Sequence, residues 1–68
     1  MKNTLKVERA KLNLTQQDLA NKVGVSRQTI NSIEAGRYVP STVLSLKISE
    51  VFQTTVNKLF ELEEGDER

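Results

Sequence analysis

One spacing constrains this chain more than any other: Ala20, Gly24, Ile30 and Ile33. It calls for two short helices joined by a turn too tight for most residues. Thr15 and Asp18 stand three apart, with Asp in place of the usual Glu or Gln, and open the first helix of the pair as a capping box. Leu19, Ala20 and Val23 form its inward stripe, and Gly24 ends it because glycine accepts a left-handed backbone. The next helix begins almost at once. Ser26 is a good N-cap, Ile30 and Ile33 share a face, and Glu34-Ala35-Gly36 closes it with a second glycine. The small Ala20 lets the two helices approach, Val25 seals the underside of the turn, and Leu19 and Val23 complete the contact.

Helical spacing extends beyond this pair. Leu5, Ala10 and Leu12 predict a helix over about residues 3–12, broken at Asn13-Leu14. Residues 37–40 form a loop, since Pro40 disfavours helix at Val39. Ser41 caps a fourth helix, which Val43, Leu44, Leu46, Ile48 and Val51 mark as broadly buried. Gln53-Thr54 interrupts it, and Thr55 caps a last short helix with Val56, Leu59 and Phe60 as its apolar face. From Glu61 onward there is no helical stripe; Leu62 either lies in a short strand or packs on a partner. The N-terminal residues are candidates to pair with this tail as a small sheet. The expected fold is all-α: five short helices in one compact domain, with a short terminal strand pair. That domain spans 1–68, with its core over about 3–60 and an acidic tail over 61–68.

With 68 residues, the core is modest and the stability margin thin. The sequence has no cysteine and no histidine, which removes disulfides, thiolate or imidazole metal sites and the usual catalytic triads. No pair of carboxylates has a local spacing suited to acid–base chemistry, and there is no glycine-rich phosphate loop. An enzyme is therefore the least supported class, and no cofactor, metal or small-molecule ligand is expected. No apolar run approaches the roughly 18 residues of a membrane span, and Met1-Lys2-Asn3-Thr4 leads into no apolar signal core, so the cytoplasm is the expected compartment. Net charge is only +1, but residues 1–60 carry nine Lys or Arg against four acids, whereas 61–68 carry five acids against one Arg. A basic body with an acidic tail suits an anionic partner; the tail by itself also serves solubility.

Packing Ile30 and Ile33 inward leaves Arg27, Gln28, Asn31 and Ser32 on the free face or its flank. These side chains read base edges: Arg pairs with guanine, and Asn or Gln with adenine. Arg27 sits where the helix dipole disfavours a cation, so it has a reason other than helix stability. Asn31 and Ser32 are mediocre mid-helix residues, either reading bases or merely exposed.

Three segments carry a resemblance. They are Thr15-Gln16-Gln17-Asp18-Leu19-Ala20, Val23-Gly24-Val25-Ser26-Arg27-Gln28-Thr29-Ile30 and Ile33-Glu34-Ala35-Gly36-Arg37. Together they resemble the Cro/repressor-type, or XRE-like, helix-turn-helix family. Pro40-Ser41 with Leu44–Ile48 fits that family's fourth helix and Val56–Phe60 its closing one, so the likeness covers about residues 3–60. Within the family it is most like the short stand-alone bacterial transcriptional regulators. The resemblance implies double-stranded DNA as partner, with the third helix in the major groove. It implies a phosphate contact for Gln16, base contacts for Arg27 and Gln28, groove-facing roles for Asn31 and Ser32, and phosphate support from Thr29. Arg37 and Tyr38 match a backbone-contacting loop, and Gln17 is either a second polar contact or simply exposed. Glu34 repels phosphate; it either pairs with Arg9 or another cation, or caps backbone. A regulator of this kind is expected to be a homodimeric repressor on a palindromic operator. The candidate seam is Val56, Leu59, Phe60 and Leu62, joined by Phe52, unless Leu59 and Phe60 only finish the monomer core. The competing reading is a protein-interaction module or antitoxin-like partner on the same fold.

Overall fold

The computed structural model describes residues 1–66; Glu67 and Arg68, the end of the acidic tail, lie outside the described residues. The elements run β1 (Lys2–Asn3), α1 (Leu5–Lys11), α2 (Gln16–Val23), α3 (Arg27–Glu34), α4 (Thr42–Phe52), α5 (Val56–Leu59), β2 (Phe60–Glu61) and a 3-10 turn at Glu64–Asp66. Five short helices and a terminal strand pair are therefore present. β1 and β2 run antiparallel, with Lys2 opposite Glu61 and Asn3 opposite Phe60.

Three of the four expected side-chain caps form; Thr55 stands at the N-cap position of α5 but makes no side-chain cap hydrogen bond. The Thr15 hydroxyl accepts from the Asp18 N–H and the Asp18 carboxylate accepts from the Thr15 N–H, both at 2.9 Å. Ser26 and Ser41 accept from the Thr29 and Leu44 N–H groups at 3.1 Å. All four longer helices turn out through one left-handed residue: Asn13, Gly24, Gly36 and Gln53, with φ of 56, 75, 78 and 52°. Each such residue lets the following N–H reach back five residues, Leu14 to Arg9, Val25 to Ala20, Arg37 to Ser32 and Thr54 to Ser49, and satisfies a carbonyl that would otherwise be orphaned.

α2 packs against α3 and α4, and α5 closes the other side of α4. The core comprises Leu5, Leu19, Ala20, Val23, Ile30, Ile33, Leu44, Ile48, Leu59 and Phe60. Burying one such Leu or Ile stabilises by about 2 kcal/mol, so few of them are dispensable in a domain this small.

Two expectations need correction. α1 begins at Leu5, not at residue 3, because Asn3 belongs to β1. The Asn3 amide donates to the Ile33 carbonyl at 2.9 Å and its oxygen accepts from the Leu5 N–H at 3.2 Å. Ala10 and Leu12 are exposed; the inner face of α1 is Leu5 and, one turn on, the polar Arg9. α4 is likewise less buried than its apolar content suggests. Val43 and Leu46 face outward, while Ser45 and Ser49 lie inside beside Leu44 and Ile48. Ser49 satisfies its hydroxyl by donating to the Leu46 carbonyl at 2.7 Å.

Candidate nucleic-acid interface

α3 presents its first turn openly. Arg27 and Gln28 are exposed, Asn31 lies one turn further along the same open side, and Ser32 is half-buried on its flank. Thr29 is half-buried too, its hydroxyl 3.0 Å from that of Ser26. Gln28, Thr29, Ser32, Arg37 and Tyr38 line one shallow recess together with Ser26. Residues 37 and 38 are held there by the exit from α3, where the N–H groups of Arg37 and Tyr38 both point to the Ser32 carbonyl, at 2.9 and 3.3 Å.

A second set of contacts crosses from α2 to α3. The Gln16 amide nitrogen donates to Glu34 Oε1 at 3.2 Å. Asn31 Nδ2 lies 3.5 Å from Gln16 Oε1, and Arg37 donates to Asn31 Oδ1 at 3.2 Å. Gln17 is not joined to this group; it donates to Asn21 along the outer face of α2 at 2.9 Å. The structure thus brings Gln16, Asn31 and Arg37 into one hydrogen-bonded row beside the recess, and leaves Arg27 and Gln17 outside it.

Beneath the row lies the ion pair between Arg9 and Glu34. Arg9 Nε and Nη2 donate to the two Glu34 oxygens at 2.6 and 2.9 Å, with side chains 13% and 8% exposed. Arg9 Nη1 also donates to the Leu14 carbonyl at 2.9 Å. Burial pushes the Glu34 carboxyl up, but the hydrogen bonds from Arg9 and then Gln16, with the charges of Arg9 and Lys6, outweigh it and hold it below the usual carboxylate range. Among the described residues, no ion pair uses Arg27 or Arg37. α3 therefore carries a cation at its positive end and an anion at its negative end, the reverse of what the helix dipole favours. Glu34 is compensated from α1; Arg27 is uncompensated and open.

The expected seam fares differently. Leu59 and Phe60 are 1% and 8% exposed and complete the protomer's own core, so they offer a partner almost no surface. Val56 and Phe52 are half-buried against the core, and Leu62 is exposed just beyond β2. Two roles lay outside the sequence reading: Asn3 tying the sheet to the end of α3, and the ion pairs that the acidic tail, beyond the expected strand pair, makes with the Met1 ammonium. The Met1 ammonium sits 2.8 Å from Glu63 and 3.1 Å from Asp66. The charge asymmetry was the only signal for the second, and the first had none.

Residues 5–59 match the helix-turn-helix family. The chain belongs to the Cro/repressor-type helix-turn-helix family. It is 52% identical over 66 residues to an uncharacterized HTH-type transcriptional regulator of Methanocaldococcus jannaschii, covering 97% of this chain and 100% of that protein. It is 47% identical over 64 residues to an uncharacterized HTH-type transcriptional regulator of Bacillus subtilis, covering 94% and 97% of the two chains. A protein of Archaeoglobus fulgidus with the same description is 44% identical over 66 residues, covering 97% and 93%. The resemblance to short bacterial regulators thus widens to archaea. Members of this helix-turn-helix family are DNA-binding regulators, not enzymes.

Proposed function

We propose that this protein is a sequence-specific regulator that binds double-stranded DNA as a homodimer and represses transcription from a palindromic operator. The observation that carries the reading is α3 itself: an open face of Arg27, Gln28 and Asn31, with Arg27 held uncompensated at the helix start. Arg27 and Gln28 contact bases in the major groove. Gln16, Thr29, Arg37 and Tyr38 hold the phosphates on either side, with exposed Gln17 as a second polar contact on α2. Asn31 and Ser32 face the groove, with mixed base and phosphate roles. One α3 reads only a few base pairs, and a wrong pair costs about 1–3 kcal/mol. Two copies on half-sites spaced by about 34 Å multiply that discrimination.

With Leu59 and Phe60 in the core, a second copy has other apolar surface to cover. Val39 and Leu46 are 58% and 52% exposed and line a recess with Met1, Pro40 and Val56. Val39 directly follows Arg37 and Tyr38, so a seam here joins two copies beside their proposed phosphate contacts. Of the residues first expected at the seam, Val56 lines this recess and Leu62 is exposed.

Selection of bound sequences from a random duplex pool tests the reading. A palindromic motif is expected, and Arg27→Ala with Gln28→Ala abolishes it while helicity is kept. Absence of binding to any duplex at low salt overturns it and favours a protein partner.

A further inference from the structure

The row of hydrogen bonds beside the recognition helix has a direction. A carboxylate only accepts, so Glu34 obliges Gln16 to turn its NH2 inward and its carbonyl outward. That carbonyl faces Asn31 Nδ2, and Asn31 therefore turns Oδ1 the other way, where Arg37, which only donates, meets it. Each amide has one orientation that satisfies both neighbours. Reversing either places two donors or two acceptors face to face.

We infer that Glu34 is a positioning residue for base reading: through Gln16 it fixes which way the Asn31 amide points, without touching DNA. The inference rests on the proposed role of Asn31 at the groove. An adenine edge requires both an acceptor, for its N6 amine, and a donor, for N7, in one order. Gln16 and Arg37 occupy one N–H and one lone pair of Asn31. The other N–H and lone pair remain for the base, already in a defined order. Glu34 stays put because Arg9 grips both its oxygens, and the same Oε1 serves Arg9 and Gln16. The ion pair joining α1 to α3 is thereby also a reference point for the reading face.

Two variants test this against a purely structural role. Glu34→Met removes the acceptor that faces the Gln16 amide, so both orientations of that amide become open and the row loses its direction. Should that variant unfold because Arg9 is left buried, Arg9→Met with Glu34→Met removes both charges, an exchange that packed interiors tolerate well. Pool selection with the wild type and Asn31→Ala identifies the base pair that Asn31 reads. In both test variants the preference at that pair is expected to fall about tenfold, with the preferences set by Arg27 and Gln28, and the salt dependence of binding, unchanged. A folded variant that keeps the wild-type preference at that pair overturns the inference. A wild type that selects a motif in which no position depends on Asn31 overturns it as well, leaving DNA binding intact. A wild type that selects no motif at all overturns the recognition reading and this inference with it.

Discussion

Left-handed residues at the helix ends differ in how well their side chains suit them. Gly24 has nothing within 4 Å of where a Cβ would stand, so the cost of Gly24→Ala is conformational alone, about 1 kcal/mol. Gln53 adopts nearly the same backbone, at φ 52°, with a side chain that disfavours it. Gln53→Gly is accordingly expected to stabilise the domain by about 0.5 kcal/mol, against a further loss of conformational order in the unfolded chain. In a domain of this size that raises Tm by roughly 2–4 °C, and thermal unfolding of the two variants beside the wild type reads both signs. If Gln53→Gly lowers Tm, the left-handed turn is not strained there. The two glycine caps were visible in the sequence, because glycine advertises the conformation. The Asn13 and Gln53 caps were visible only as interruptions, since neither residue type names the geometry it adopts.

Among the elements, α1 shows where sequence patterning ran out. Apolar spacing places Leu5, Ala10 and Leu12 inward, whereas the structure buries Leu5 and half-buries Arg9. A helix of seven residues carries too few apolar positions to define a face, and the polar Arg9 earns its inward place through a carboxylate on another helix. α2 and α3 were legible because Ala20, Gly24, Ile30 and Ile33 each allow few alternatives. That Arg27, Gln28 and Asn31 lie on the open side of α3 was legible from the inward Ile30 and Ile33, but the hydrogen-bonded order beside them was not, because it depends on how α1, α2 and α3 meet. Leu59 and Phe60 mark the same limit: an apolar pair near a chain end looks alike whether it fills a core or a seam. The Arg9–Glu34 pair makes two predictions. Arg9→Met leaves Glu34 buried and unpaired and is expected to cost about 3 kcal/mol in urea unfolding at pH 7. The pair also sets an acid limb. Because the folded Glu34 carboxyl is held below its ordinary value, its contribution is complete above the unfolded carboxylate range, near 4.5, and is lost as pH falls through the lower folded value. Asp18, lowered by the Thr15 N–H and then its hydroxyl, acts in the same window. Stability measured from pH 6 to pH 2.5 should therefore fall, and fall less in Glu34→Gln, whose own loss is already taken at neutral pH. An identical acid limb in that variant would place the titrating groups elsewhere.

Across the whole molecule, the question is how many copies face the DNA at once. The basic body binds phosphate by releasing counterions, and each phosphate neutralised adds about 0.9 to the slope of log K against log salt. Arg37 is well suited to count copies, because it is exposed, paired with no carboxylate among the described residues, and assigned to the backbone-contacting loop. Its contact with Asn31 bears on which base is preferred, whereas the slope reports charge. Arg37→Ala is expected to lower the slope by about 1.8 on a duplex holding the full palindrome, and by about 0.9 on one holding a single half-site. Leu46→Glu, which sets a charge in the exposed recess beside Val39 and Val56, should leave the half-site slope unchanged. On the palindrome it should convert one cooperative binding step into two weaker independent ones, each sensitive to Arg37 to the half-site extent. Sedimentation of the free protein gives the complementary reading, a second copy lost on Leu46→Glu. If the slope change on the palindrome stays near 0.9 in the wild-type background, the protein meets DNA as a single copy. A two-fold operator then has no physical basis in this fold.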